Sequence, residues 1–381
     1  MSEPESVSTG LFTGAAVHDL FPRLHEISPS TPMAAATTPY DFPDGEPFAL
    51  PETHDFGGEA RSTVDFLAEG DAVALLVLQH GEVRHEWYGL TGGRDVQWIS
   101  WSVAKSFVSA LVGIAIDEGL IETVADPINR YAPALDATAY DGVAIEDVLQ
   151  MSSGARWIED YSDPTSDVHR LAAVNRGEST LDEFMAGMVR EFEPGTLCRY
   201  NSADTQALGM LLTGATGRSI ADYMHEKLVE PLGMEHTSHW LTDSVGMEQA
   251  FGGLMVTARD FAKIGELYRR GGDWHGTQLV PEDWVRRSLV FDKPHLEPGK
   301  TMIGAEVLPT GYGYQWWLYP GERADYSAIG IYNQYVHVDP MTESVIVKLS
   351  ANRTYGTATT EEADMEGAND AFFAAVVAAL G

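Results

Sequence analysis

The chain has 381 residues, 44% of them hydrophobic, and carries 57 acidic against 24 basic side chains, a formal net charge of −33. That length and apolar content suffice for a sizeable core, while a negative surface disfavours nucleic acid and anionic membranes as partners. The single cysteine, Cys198, excludes an internal disulfide framework, and no apolar stretch approaches the roughly 18 residues of a membrane span.

Residues 1–60 are rich in proline, serine and threonine, and we predict an extended arm that is wrapped on the body or partly disordered. The first residues lack both the basic and the apolar region of a signal peptide, so we expect a cytoplasmic protein. Two apolar runs within residues 72–90, joined by His80-Gly81, predict a β-hairpin. A long apolar helix should then run from Ser102 to Glu118 and end at Gly119.

The pattern is mostly helical from residue 125 to residue 300. Helix caps with an acidic residue three positions on recur at Thr180, Ser219 and Thr257. Strand patterns return at residues 312–319, 332–338 and 343–351, and an apolar helix over residues 371–380 closes the chain.

This order of elements predicts three regions. Residues 1–60 form the arm, residues 61–124 and 301–381 together build an α/β subdomain around one sheet, and residues 125–300 form an inserted, mostly helical subdomain. A cleft should lie where the two subdomains meet, and such clefts are common ligand sites.

The predicted long helix opens with Ser102 and holds, at Lys105, one of only six lysines in the chain. Residues three apart share a helix face, so these two side chains can touch. Because the rest of the helix is apolar nearly all round, Lys105 should be buried, and burial lowers the pKa of an amine. A near-neutral amine can activate a serine nucleophile, and a helix N-terminus favours developing negative charge. The alternative is that Ser102 only caps the helix while Lys105 reaches outward.

A second motif, Tyr200-Asn201-Ser202, follows about a hundred residues later, where we expect Ser202 to cap the next helix. Together with the Ser-x-x-Lys helix it resembles the pattern of the serine β-lactamase and penicillin-binding-protein superfamily. In that pattern the tyrosine is a proton relay, and we expect the neighbouring Lys105 to make its phenol easier to ionise.

The third element of that superfamily is a strand beside the cleft carrying Lys-Thr-Gly or His-x-Gly. The resemblance places the glycine at Gly330 and the oxyanion hole at the backbone N–H groups of Ile331 and Ser102. Ala328 stands at the first position, where the family carries the cation that holds a substrate carboxylate.

From about residue 65 to its end the chain is similar to the class C β-lactamase-like branch, above all to the 6-aminohexanoate-dimer hydrolases and related esterases. Segments such as WSVAKSFVSALVGIAIDEGLI, YNSADTQALG and GGLMVTARDFAKIG carry this resemblance. It implies an α/β fold of the β-lactamase/transpeptidase type, with an antiparallel sheet flanked by helices. It also implies an acyl-enzyme on Ser102, with Lys105 and Tyr200 as the acid/base pair. Substrate contacts are expected at Tyr161, Ser202 and Gly330, with Trp157 as a neighbour of Tyr161 or, alternatively, a core tryptophan.

Three positions depart from that branch. Ala172 falls where it carries a substrate-binding acid, Phe251 where it carries an asparagine, and Asn333 where it carries a glycine. These departures favour a less polar acyl or alcohol group than that of the 6-aminohexanoate dimer.

The preferred function is therefore hydrolysis of small carboxylic esters or linear amides, with a small-molecule substrate as partner, no cofactor, and a homodimer left open. One alternative is a β-lactamase or D-alanyl-D-alanine carboxypeptidase, which Ala328 and the expected cytoplasmic location disfavour. Another is a catalytically silent binding scaffold. No nucleophile elbow, P-loop, dinucleotide fingerprint or H-E-x-x-H motif is present. We expect no metal, with His236 and His239 in a surface loop, and Cys198 as a buried bystander.

Overall fold

The computed structural model describes residues 10–381, apart from the side chains of Ala172, Asn175 and Arg176. Its centre is a seven-stranded antiparallel sheet. The strands lie side by side in the order Gly311–Tyr312, Trp317–Leu318, Tyr326–Gly330, Gln334–Asp339, Ser344–Ser350, Ala72–Gln79 and Glu82–Tyr88. The last strand of the chain thus pairs with the N-terminal hairpin, which confirms a sheet built from both ends of the sequence.

The N-terminal hairpin turns at His80 and Gly81, whose φ angles of 55° and 78° are the left-handed pair that a two-residue hairpin turn requires. Alternate residues of Ala72–Gln79 point to opposite faces of the sheet. Leu76 and Leu78 enter the main hydrophobic core, whereas Leu75 and Val77 enter a second, smaller cluster. The sheet is therefore covered on both sides.

Helices pack against both faces of the sheet. Ala258–Arg269 packs on one face, where a Cβ at Gly265 would meet Val345 Cγ1 at 2.7 Å, so the missing side chain lets this helix approach the sheet closely. Thr63–Glu69 and Glu366–Leu380 cover the other face through the smaller cluster.

The predicted apolar helix is confirmed. A 3₁₀ turn over Trp101–Val103 leads into the helix Ala104–Asp117, and Gly119 has a φ of 71° just after its end. This helix packs against Ser202–Thr216, so the two predicted catalytic motifs start on neighbouring helices.

The predicted caps at Thr180, Ser219 and Thr257 are confirmed, and each side-chain oxygen accepts from the backbone N–H three residues on. The late strands are shorter than predicted. The stretch 312–319 splits into two short strands around Gln315, whose φ is 63°, because a left-handed residue interrupts the strand.

Residues 10–60 are more than an extended arm. They contain a short helix and more than one strand, and Phe21 and Leu24 are buried in the main core. The first of these strands belongs to a four-stranded sheet, whose members in order are Ser30–Met33, Ser238–Leu241, Leu254–Val256 and Trp98–Ile99. Residues 1–9 of the predicted arm lie outside the described residues.

One hydrophobic core runs through all three predicted regions, from Val17 through Leu211 to Val347. Ala258–Arg269, inside the predicted helical subdomain, packs on the large sheet. The boundaries at residues 60, 124 and 300 thus mark changes of sequence pattern within continuous packing.

The remaining elements are short. The other α-helices are Leu24–Ile27, Ile145–Leu149, Asp167–Ala172, Leu181–Ala186, Ile220–Met224, Glu230–Leu232, Glu282–Ser288 and Glu361–Asp364, with a π-helical turn at His225–Val229. Further strand pairs are Thr53–Phe56 with Glu59–Ser62, Asp273–Trp274 with Thr277–Gln278, and Met302–Ile303 with Glu306–Val307. The helices within residues 10–381 include none with the length and apolar character to span a membrane.

Candidate active site

Ser102 lies on the 3₁₀ turn that precedes the helix Ala104–Asp117, and its side chain is partly exposed. The preceding residue, Trp101, has a φ of 43°. A bulky aromatic residue rarely adopts this left-handed conformation, and backbone strain of this kind concentrates at functional sites. The turn presents Ser102 at the end of a buried helix.

Lys105 is buried and points back to Ser102, so the outward-reaching alternative is wrong. It is 1% exposed, and its Nζ donates to Ser102 Oγ at 2.8 Å, to Ser202 Oγ at 3.2 Å and to the carbonyl oxygen of Phe251 at 2.8 Å. Burial lowers the pKa of Lys105 to about 7, against the opposing effect of the negative charge of Glu159. The amine is therefore able to exchange a proton with Ser102 near neutral pH.

Tyr200 completes the group. Its ring stacks on Trp317 with centroids 5.1 Å apart, Lys105 Nζ lies 5.1 Å from the ring centre, and the Ser102 hydroxyl is near enough to the phenol to lower its pKa in part. The predicted ease of ionisation is wrong, because burial and then the charge of Glu159 hold the pKa of Tyr200 well above its usual value. Tyr200 therefore keeps its proton at neutral pH, which suits a proton donor rather than a resting base.

A buried carboxylate, Glu159, was not predicted from the sequence. It is 3% exposed and accepts hydrogen bonds from Ser202 N at 3.1 Å, Ser202 Oγ at 2.7 Å and Tyr161 Oη at 2.5 Å, as well as from the indole N–H of Trp157. Each of these partners acts as a donor, and an ionised carboxylate is an acceptor at both oxygens. Ser202 thus connects Glu159 to Lys105.

These contacts change the roles predicted for three residues. Trp157 is 1% exposed and cannot line an open pocket; it holds Glu159 in place. Tyr161 is partly buried and also binds Glu159, so its hydroxyl already has a partner. The helix cap predicted at Ser202 is wrong: Asn201 caps the helix by accepting from the backbone N–H of Ala203 at 2.8 Å, which leaves the Ser202 hydroxyl free to join Lys105 and Glu159.

Gly330, the last residue of strand Tyr326–Gly330, lies against the turn that carries Ser102. A Cβ on Gly330 would meet Ser100 O at 2.5 Å and Ser102 N at 3.1 Å. Only glycine therefore allows the end of strand Tyr326–Gly330 to touch the turn that carries Ser102. This contact places the turn that starts at Ile331 next to the backbone nitrogen of Ser102. Ile331 and Ser102 are the two residues whose backbone N–H groups were predicted to form the oxyanion hole.

One of the three departures from the related branch, Asn333, has a structural explanation. Asn333 has a φ of 64°, a conformation that asparagine and glycine both tolerate, and its side chain bonds to Asp364 O and Asn352 Nδ2. Ala328 is 1% exposed within the main core, pairing with Val336 in the sheet. Phe251 contributes its carbonyl oxygen to Lys105. The side chain of Ala172 lies outside the described residues.

The other candidates from the sequence take no part in this group. Cys198 is buried, and burial raises the pKa of its thiol to about 12, which makes it unreactive. The surface loop predicted for the two histidines is wrong for His239, which lies in the strand Ser238–Leu241 and contacts Gln97, whereas His236 contacts Asp95. Among residues 10–381, no cluster of three or more histidine, cysteine, aspartate or glutamate side chains is arranged to hold a metal ion.

Two cavities lie elsewhere on the molecule. One, of about 200 Å³, is lined by Tyr40, Trp274 and His275, and the other, of about 360 Å³, by Tyr319, His337 and Asp370. Neither is lined by Ser102, Lys105 or Tyr200, so the candidate active site is defined by its chemistry and not by cavity size.

Comparison with known proteins shows which family the sequence and the fold resemble. The family model of Beta-lactamase matches residues 64–371. The 6-aminohexanoate-dimer hydrolase of Paenarthrobacter ureafaciens is 34% identical over 286 residues, which cover 73% of this chain and 72% of that protein.

Solved structures share the fold. A Bacillus anthracis protein provisionally named 6-aminohexanoate-dimer hydrolase superposes with a TM-score of 0.85 at 19% identity, covering 99% of this chain and 98% of that one. EstCE1, described as a hydrolase with promiscuous acyltransferase activity, superposes with a TM-score of 0.62 at 17% identity, covering 84% of this chain and 96% of the other. By its sequence and its fold, the chain belongs to the Beta-lactamase family.

Proposed function

We propose that the protein hydrolyses small carboxylic esters or linear amides through an acyl-enzyme on Ser102. The observation that carries the proposal is the 2.8 Å hydrogen bond between Lys105 Nζ and Ser102 Oγ, made by a lysine that is 1% exposed. With the pKa of Lys105 lowered to about 7, both the neutral amine and the ammonium are accessible near neutral pH. Such an amine can serve as a general base.

In acylation, the amine of Lys105 takes the hydroxyl proton while Ser102 Oγ attacks the carbonyl carbon of the substrate. The electron pair of the C=O bond moves to the oxygen, which accepts hydrogen bonds from the backbone N–H groups of Ser102 and Ile331. One such donor typically contributes about 100- to 1000-fold in kcat.

The tetrahedral intermediate then collapses. Tyr200 gives its phenolic proton to the departing alkoxide or amine and recovers a proton from the ammonium of Lys105, leaving an ester on Ser102. Water then attacks this ester while the neutral amine of Lys105 takes its proton, and the resulting ammonium returns a proton to Ser102 Oγ through Tyr200, which gives one proton and receives one. Ser102 Oγ finally leaves with its proton restored, and the acid product is released.

Three features support an uncharged, moderately apolar substrate. Ala328 supplies no cation for a substrate carboxylate, and Phe251 stands where the related branch has a polar amide. Trp101 also places a partly exposed aromatic side chain directly before Ser102. The relative that is 34% identical is named for a linear amide substrate, and EstCE1 is named as a hydrolase with acyl transfer.

The test is a side-by-side measurement of kcat/KM for p-nitrophenyl butyrate, the 6-aminohexanoate dimer and a chromogenic cephalosporin, with Ser102→Ala as the blank. We expect the ester to dominate and the blank to be inactive, and a dominant dimer would contradict the preference for an uncharged substrate. A dominant cephalosporin would favour the penicillin-recognising alternative. Absence of turnover, together with failure of a fluorophosphonate to label Ser102, would favour the silent scaffold.

A further inference from the structure

The turn formed by residues 331–333, which we call the oxyanion turn, is held in an unusual backbone conformation. Tyr332 and Asn333 have φ angles of 62° and 64°, and across the site Trp101 has a φ of 43°. Trp101 precedes Ser102 and Tyr332 follows Ile331, so each proposed oxyanion donor has a left-handed aromatic neighbour. Such conformations persist only where the surroundings determine them.

Part of that constraint comes from Gln334, which is fully buried. Its amide nitrogen donates to the carbonyl oxygens of Ile331 and Tyr332, each at 3.0 Å, while its amide oxygen accepts from the indole N–H of Trp98 at 3.0 Å. These bonds fix the carbonyl side of the oxyanion turn against the sheet. They do not constrain the aromatic rings of Tyr332 and Trp101.

The rings are constrained by the N-terminal part of the chain. Phe21, which is fully buried, packs edge-on against both left-handed residues, with centroids 5.5 Å from Trp101 and 5.0 Å from Tyr332. Phe12 stacks on Tyr332 at 5.5 Å, and its backbone N–H donates to Tyr332 Oη at 2.8 Å. Phe12 also stacks on Tyr161 at 5.2 Å, the residue that binds Glu159.

We infer that residues 10–21 are a positioning element of the active site: through Phe12 and Phe21 they clamp Tyr332 and Trp101, and thereby set the separation of the two oxyanion N–H groups. This inference rests on the proposed function, because it concerns the oxyanion hole of that reaction. It assigns a role in catalysis to a segment that precedes the match to the Beta-lactamase family at residue 64.

The mechanism predicts a specific kinetic signature. Oxyanion donors bind the tetrahedral state more strongly than the substrate, so loosening them lowers kcat and leaves KM nearly unchanged. A side chain that only formed the wall of the substrate pocket would raise KM instead. A side chain that only stabilised the fold would lower the melting temperature without changing the kinetics of the folded enzyme.

The experiment compares Phe12→Ala and Tyr332→Phe with a matched control, Phe48→Ala. Phe12 is partly buried, so its replacement should leave the fold intact, and Tyr332→Phe keeps the ring while removing the acceptor for the Phe12 N–H. Phe48 is also partly buried but packs in the smaller cluster on the other face of the sheet. Each variant is assayed with p-nitrophenyl butyrate, together with the affinity for butaneboronic acid, a tetrahedral-state analogue, and the melting temperature.

For Phe12→Ala we expect kcat to fall about tenfold with KM within twofold of the wild type, and the boronate to bind about tenfold more weakly. Tyr332→Phe should show a smaller loss in the same direction, and Phe48→Ala should be unchanged in kcat. An unchanged kcat for Phe12→Ala, or a rise in KM alone, would overturn the inference.

Failure of the proposed function is distinguishable from failure of this inference. If the wild type turns over no ester or amide, the proposed function fails, and the positioning role is then read from the rate at which a fluorophosphonate labels Ser102. A slower rate in Phe12→Ala than in Phe48→Ala would support the role of residues 10–21. Equal rates would reject it.

Discussion

The carboxylate of Glu159 should set the pH at which Lys105 becomes a base, and Glu159→Gln tests this directly. The substitution keeps the size of the side chain and removes its charge. Ser202 Oγ lies 3.2 Å from Lys105 Nζ and 2.7 Å from Glu159 Oε1, so the two charges are separated by roughly 6 Å or less. At an effective dielectric constant of about 20, two unit charges at that distance interact by about 3 kcal/mol.

The direction in which the pKa of Lys105 should move follows from the charge of Glu159. A negative neighbour favours the ammonium form and so raises the pKa of Lys105, whereas burial lowers it to about 7. Loss of the charge therefore moves the acidic limb of kcat/KM, where Lys105 must be deprotonated, to lower pH by roughly one to two pH units. The plateau should fall about tenfold or more, because the base is weaker and the ammonium formed during acylation loses its counter-charge.

The measurement is the pH dependence of kcat/KM for p-nitrophenyl butyrate, taken from about pH 4 to about pH 9 so that the whole acidic limb is covered. Asp160→Asn is the matched control, since it removes the same charge one residue away at a partly exposed side chain that bonds to Ser162. Its acidic limb should coincide with that of the wild type. If the limb of Glu159→Gln also stays in place, Glu159 does not act on Lys105 electrostatically and the reasoning fails.

Three further substitutions follow from the site. Lys105→Ala should abolish acylation, read by intact mass after incubation with ester, while circular dichroism shows an unchanged fold; near-normal turnover would reject the general base. Tyr200→Phe keeps the stack on Trp317 and should lower kcat about 100-fold, more for amides than for esters because an amine must be protonated to leave; a change in KM alone would reject the relay. Gly330→Ala would place a Cβ 2.5 Å from Ser100 O, so kcat should fall at constant KM, and normal kcat would contradict the assigned oxyanion hole.

The parts of the site that depend on local geometry could be predicted from the sequence. Ser102 and Lys105 are three residues apart at the start of a helix that is apolar on all sides. Helical geometry therefore brings the two side chains together, and the apolar surroundings bury the amine. The same holds for the hairpin at His80-Gly81, because the type of turn depends on these two adjacent residues. Gly330 was found through a resemblance, and its role follows from a contact across the sheet.

The parts that depend on tertiary contacts could not be predicted. Glu159 and Asp160 are adjacent acids in the same segment, and only the fold shows that one is buried against Ser202 while the other is partly exposed. The error over the pKa of Tyr200 has the same origin. The sequence showed Lys105 as a neighbour but neither the depth of burial nor the charge of Glu159, and these two effects decide the direction.

A second buried lysine shows that a lowered pKa does not by itself make a catalyst. Burial also lowers the pKa of Lys348 to about 7, and its Nζ donates to Ser350 Oγ at 2.7 Å. Both side chains are fully buried in the central sheet, so no substrate can reach this serine. Lys348 therefore has the amine and hydroxyl of the active site without access or oxyanion donors.

Lys348→Met should accordingly separate stability from catalysis. An unfolded lysine titrates near 10.4, so between pH 7 and that value the unfolded state binds more protons and stability rises with pH. From pH 7 to pH 9 the contribution of one such lysine is about 2 kcal/mol, and Lys348→Met should lose that increase in stability in urea unfolding measured at the two pH values. The acidic limb of kcat/KM should stay where it is in the wild type. A shifted limb would show that Lys105 is not the group that titrates in catalysis.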